Sequence, residues 1–112
     1  MAFTTAVLNL AVDAVATAGA YISAHTADPG TTGASEVTGG SYVRQLTTWG
    51  SASGGSRVGS QVTIPIPTGT TVTHIGIWSA VSAGTFREGA SITSQAFPSG
   101  GNLLHTATLT AA

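Results

Sequence analysis

Residues Val72 to Ala80 read VTHIGIWSA, and this stretch constrains the fold more than any other. Val72, His74, Gly76, Trp78 and Ala80 fall on one parity and Thr73, Ile75, Ile77 and Ser79 on the other, so a strand here carries apolar bulk on both faces. Such a strand belongs in the interior of a sheet. Thr68-Gly69-Thr70 precedes it and Ser82-Ala83-Gly84 follows it, and segments with a two-residue hydrophobic period flank both turns. Those segments are expected to pair with it.

The N-terminal stretch has a different period. Thr4 and Thr5 offer capping hydroxyls, and Leu8, Ala11, Val12 and Val15 then gather on one helical face, which predicts a helix over about residues 5–17 with Leu10 off the stripe. Gly19 is expected to end it in the left-handed conformation. The same run resembles a signal-peptide core ending in small residues. It has no Lys or Arg before it, and Asn9 and Asp13 interrupt it, so we read it as a helix rather than as a cleaved leader or a membrane span.

Tyr21 to His25 reads as a strand closed by the turn Asp28-Pro29-Gly30, and residues 30–41 form a glycine-rich excursion. Tyr42 to Trp49 is the next predicted strand. From Val58 the alternation is regular: Val58, Ser60, Val62, Ile64 and Ile66 point one way, and Pro65 and Pro67 put that end at a sheet edge. Phe86 to Thr93, with Phe86, Ala90 and Ile92 inward, and Leu103 to Thr110 complete the set. Five or six strands and one helix predict a mainly β fold, an antiparallel β-sandwich with one short N-terminal α-helix, in a single domain over 1–112 with the β part at about 20–110. A single sheet plus helix is the alternative. Ile64, Ile66, Ile75, Ile77, Phe86 and Ile92 are the expected core.

Composition narrows the function. The chain has three Lys plus Arg, all Arg, four acidic residues, a formal net charge of −1 and no Cys. Three arginines cannot supply the phosphate contacts of a nucleic-acid binder, and a surface made of Thr, Ser, Gly and Ala with so little charge suits a chain covered by partners. His25, His74 and His105 are far apart in sequence and read as strand histidines bonded to neighbours. No nucleophile stands beside a base in a strained elbow, and neither Gly pair precedes a helix that could receive an anion. The expectation is a non-enzymatic protein with no cofactor, no metal and no membrane partner. With charges this scarce, Glu36, Arg44, Arg57, Arg87 and Glu88, together with Leu10 and Trp49, are the candidates for partner contact; an internal Glu–Arg pair is the bland alternative.

The phrases AHTADPGTTGASEVTGGSYVRQ, TWGSASGGSR and PTGTTVTHIGIWSAVSAGTF, followed by GASIT, resemble a family of small tailed-phage virion proteins labelled tail-fibre or minor tail proteins in phages of actinobacteria. The resemblance covers about residues 20–110. It implies a structural virion component without catalytic residues, assembled in the host cytoplasm. A chain of 112 residues without a heptad run or collagen-like repeat suits repeated decoration of a capsid lattice better than a receptor-binding stem, so the leading expectation is a head decoration protein. It would form a homo-oligomer, with a trimer favoured, bind the major capsid protein, and have both chain ends held by neighbours. A minor tail or tail-fibre-associated protein that binds tail proteins and serves host attachment is the alternative.

Overall fold

The computed structural model describes residues 4–110, so the expectation about the chain ends lies outside the described residues. Helix α1 (Thr5–Ala18) is followed by eight strands: β1 (Tyr21–His25), β2 (Gln45–Leu46), β3 (Ser56–Val58), β4 (Val62–Ile66), β5 (Thr70–Trp78), β6 (Phe86–Phe97), β7 (Gly101–His105) and β8 (Thr108–Thr110). All pairings are antiparallel. The largest sheet has the order β2-β1-β5-β6, and β3-β8 and β4-β7 are two-stranded. The fold is mainly β with one helix, its small sheets gathered around one core in a sandwich-like arrangement.

The double-apolar strand takes the predicted place. β5 lies between β1 and β6, with Val72, Ile75, Gly76, Ile77 and Trp78 buried. Ile22, Ala24, Ile75 and Ile77 share a core with Val62, Ile64, Ile66, Leu103, Ala107 and Leu109, and α1 enters it through Val12 and Ala16. The Thr4 hydroxyl accepts from the Val7 amide at 3.3 Å, so the predicted cap is present.

Several expectations need correction. Gly19 is extended, with φ −153°, and not left-handed. Its smallness is needed for close approach instead: a Cβ there would lie 2.9 Å from Ile77 Cγ2 and 3.2 Å from the Trp78 carbonyl. The run from Val58 to Ile66 is two strands in different sheets, broken at residues 59–61, and Val58 is exposed while Val62, Ile64 and Ile66 are buried. The predicted strand from Tyr42 to Trp49 shrinks to Gln45–Leu46 plus a bridge between Trp49 and Gly59. The last strand divides into β7 and β8.

β6 is longer than predicted and forms one edge of its sheet. Ala90 is therefore exposed, and Phe86 and Ile92 are only half-buried, because nothing in the sheet lies beyond them. Register shifts against β5 occur at Arg87 and between Ser91 and Gln95, where β6 carries extra residues. Such bulges bend an edge strand and interrupt its free ladder. The molecule measures 47 × 25 × 24 Å, elongated as a hairpin with a 12-residue arm requires.

Candidate functional site

The densest polar chemistry lies on the face of β1 and β5 turned away from the main core. Alternation puts Ser23 and His25 on one side of β1, and the register sets them opposite Gly76 and His74. Trp78 Nε1 donates to Ser23 Oγ at 3.0 Å, Ser23 Oγ lies 2.6 Å from His25 Nε2, and His25 Nδ1 lies 2.8 Å from the Ala34 carbonyl. A carbonyl can only accept, so Nδ1 carries the proton; enclosure of the ring disfavours a second proton, which leaves Nε2 to accept from the Ser23 hydroxyl. Burial holds His25 below the ordinary histidine value, and its bond to Ala34 offsets this only in part.

A serine beside a histidine is the start of a nucleophile, yet this pair has no access to solvent: Ser23 and His25 are both 0% exposed. Gly76 leaves the room for them. A Cβ there would come within 2.6 Å of Ser23 Oγ, 2.7 Å of Phe86 and 2.8 Å of His25 Nε2. The opposite wall is the glycine-rich excursion, where Asp28 Oδ1 accepts from the Gly30 amide at 2.9 Å and Gly30 has φ +61°, as the turn signature predicts. Gly33, at φ +79°, sits where any side chain would run into the Trp78 ring.

Above Trp78 lies an ion pair. Arg44 Nε and one terminal nitrogen each donate to a Glu36 oxygen at 2.8 Å, and the other terminal nitrogen donates to the Ala80 and Ala83 carbonyls at 3.0 and 2.8 Å. The guanidinium carbon stands 3.6 Å from the Trp78 ring centroid, so the cation is stacked as well as bidentate. Tyr42 donates to Glu36 at 2.6 Å and accepts from the Ala24 amide at 3.1 Å. Burial pushes the Glu36 carboxyl up, but the bonds from Arg44 and Tyr42 outweigh it and hold it below its usual range. Burial and the neighbouring carboxylate push the Tyr42 hydroxyl far up. The loops tied by Arg44 border an open groove of about 350 Å³, lined by Glu36, Val37, Tyr42, Val43, Arg44 and Val81.

The other candidate residues lie outside this cluster. Arg57 pairs with Asp13 of α1 at 3.0 Å, and Trp49, half-buried, donates to the Gly19 carbonyl at 3.0 Å. Leu10 is 66% exposed on the helix. Arg87 and Glu88 lie at the start of β6, and among the described residues neither makes an ion pair; partial burial raises the Glu88 carboxyl. The structure thus brings Glu36 and Arg44 together, joins Arg57 to the Trp49 carbonyl by a hydrogen bond of 3.4 Å, and leaves Leu10, Arg87 and Glu88 away from both pairs. Sequence reading missed the parts played by Ser23 and Tyr42. Shared parity of Ser23 and His25 was an available signal, whereas nothing local joins Tyr42 to Glu36. Among the described residues no group of three His, Asp or Glu side chains converges as a metal site would need, and no helix is long and apolar enough to cross a membrane.

The sequence model of one family, described as Podophage GP4 fiber I protein gp80, matches residues 2–112. The chain belongs to this family. The fiber I protein gp80 family makes it a phage fibre-type protein and a structural virion component, which agrees with the resemblance at that level. The match is to a podophage fibre and does not extend to the actinobacteriophage or minor tail labels. It lends no support to head decoration and fits the tail-fibre alternative better. No curated protein matches the chain significantly.

Proposed function

We propose that this fiber I family protein is a tail-fibre-associated structural component of the virion that serves host attachment, with other tail proteins as its partners and no catalytic role. The observation that carries this reading is the family match across residues 2–112. Head decoration rested on chain length and on the lack of a stem repeat, both indirect. The elongated 47 × 25 × 24 Å shape supports a fibre element, and the fully enclosed Ser23–His25 pair supports a structural role over a hydrolytic one.

Quantitative mass spectrometry of purified particles, together with labelling by an antibody to this chain, tests the reading. A copy number far below that of the major capsid protein, with label at the tail, is expected. Label spread over the head at a fixed ratio to the capsid protein overturns it.

A further inference from the structure

The enclosed hydrogen-bond chain beside Trp78 is complete only while His25 carries a single proton. In that state each hydrogen has an acceptor: Trp78 Nε1–H reaches Ser23 Oγ at 3.0 Å, the Ser23 hydroxyl turns to His25 Nε2 at 2.6 Å, and His25 Nδ1–H reaches the Ala34 carbonyl at 2.8 Å. A second proton, on Nε2, reverses the middle bond. Ser23 Oγ then faces two donors, and its own hydrogen is left over, because among the described residues Ser23 Oγ has no third partner. Both residues are enclosed, so water can satisfy neither unless a wall of the site moves.

The groups around the ring add to the cost. His74 of β5 lies opposite His25, Glu36 makes a bridge with it, Arg44 and Tyr42 reach the site through Glu36, and Phe86 of β6 stands edge-on and uncharged at 6.0 Å. Glu36 is the one carboxylate among them, and Arg44 and Tyr42 already occupy it. A charged His25 would compete with Arg44 for that single anion.

We propose that residues 26–35 are an acid-released latch: a proton on His25 drives this segment off the face of β1 and β5 and uncovers Trp78. The walls around His25 differ in how they are held. β1 and β5 are joined by a continuous register, Tyr21–His25 against Trp78–His74, and Phe86 belongs to a strand paired with β5. The segment between them and solvent is irregular, is tied to the sheet through the His25–Ala34 bond, and buries only Pro29 and Gly33. With so few buried groups it opens at a lower free energy than the sheet beneath it. While His25 is neutral the segment forms one wall with the Arg44 loops. Gly33 is seated where a Cβ would meet the Trp78 ring, so its departure admits water to the indole, Ser23 and His25 together.

Native-state hydrogen exchange on the full chain tests this, with each rate divided by that of the unstructured chain so that the intrinsic effect of pH drops out. At pH 7.5 the amides of Thr26, Gly33 and Ala34 should exchange through a local opening, less protected than those of β4 and β5 and insensitive to low urea. The opened ring takes a proton near the ordinary 6.5 and the enclosed ring resists it, so the opening should become about 10-fold more frequent between pH 7.5 and 5.5. The Trp78 indole N–H should follow it, while that of Trp49, bonded to the Gly19 carbonyl, should not change. His25→Asn keeps a donor for Ala34 and cannot be charged, so its opening should be flat across the interval. Should that variant not fold, the two indoles of the unaltered chain decide. Segment amides that do not respond to pH, or that open only together with β4 and β5, overturn the proposal. Equal acceleration of the two indoles, or a pH response kept in folded His25→Asn, does the same. The latch does not depend on where in the virion the chain sits, so its failure leaves the tail-fibre reading intact.

Discussion

Two ion pairs among the described residues use four of the chain's charges in opposite ways. Arg44 and Glu36 have side chains 8% and 19% exposed, while Arg57 and Asp13 are 19% and 48% exposed. The first pair is bidentate, stacked on Trp78, shared with Tyr42 and tied to two backbone carbonyls. The second has a single contact between its side chains; Arg57 also donates to the Gly50 and Trp49 carbonyls, but Asp13 has no second donor, and the pair pins a helix to the β3 side of the fold. An ion pair out of water is held by the hydrogen bonds that replace hydration, and removing one partner leaves the other stranded; an exposed pair exchanges its partner for water at little cost. The excursion and the Arg44 loops should therefore act as one rigid unit, and α1 as an element whose attachment depends mainly on Val12 and Ala16.

The largest expected effect comes from breaking the buried pair. Arg44→Met should cost about 3 to 5 kcal/mol in urea unfolding, because the Glu36 carboxylate stays inside without its cation. Adding Glu36→Gln should recover part of that loss, since a neutral amide is less costly to bury there. A loss below about 1 kcal/mol for Arg44→Met alone would place this pair with the exposed one and erase the contrast.

Overfilling the same region comes next. Gly76→Ala puts a methyl group against Ser23, His25 and Phe86 at 2.6 to 2.8 Å, and a loss of about 1 to 3 kcal/mol in thermal or urea unfolding is expected. Full stability would mean that the Ser23–His25 contact is loose enough to move aside.

A smaller effect should appear with pH. His25 is held below the ordinary value of 6.5, so the unfolded chain takes up a proton first as pH falls. The stability from neutral, enclosed His25 is present above about pH 6.5 and is lost progressively below it, and His105, lowered by burial, acts in the same direction. Glu36, held below its ordinary 4.5, adds a second loss only at more acid pH. Urea midpoints should therefore fall between pH 7.5 and 5.5, and a profile flat over that interval would contradict the neutral tautomer assigned to His25.

The smallest change is expected at the exposed pair. Asp13→Asn should cost less than about 1 kcal/mol, and high salt should reduce even that difference. A larger loss would show that the helix depends on its tether more than on its apolar stripe.

Much of the fold was legible because its signals are local. The double-apolar run at Val72 to Trp78 can be covered on both sides only in the middle of a sheet, and the structure puts it there. Thr4 as a cap and Asp28-Pro29-Gly30 as a turn depend on atoms within three residues of one another, so the sequence carries them whole. The Val58 to Ile66 alternation misled because period two reports which way side chains point along one strand, and cannot report that the chain changes sheets at residues 59–61. Gly19 misled for a related reason: a glycine after a helix indicates a left-handed cap, whereas here it admits Ile77 and the Trp78 carbonyl, residues far along the chain.

The polar site belongs almost entirely to the tertiary level. Sequence marked Glu36 and Arg44 as scarce charges but could not say that they would meet, because the seven residues between them form irregular backbone with no period to project. Trp78, Ser23, His25 and Ala34 are joined only once β1 pairs with β5 and the excursion folds over both. By itself, then, the sequence determined the central strand, the helix, the turn chemistry and the scarcity of charge, all set by neighbours in the chain or by composition. Which charges find each other inside, which histidine is held neutral, and which helix face is left bare were decided by packing, since each depends on groups that only the closed fold brings within hydrogen-bond distance.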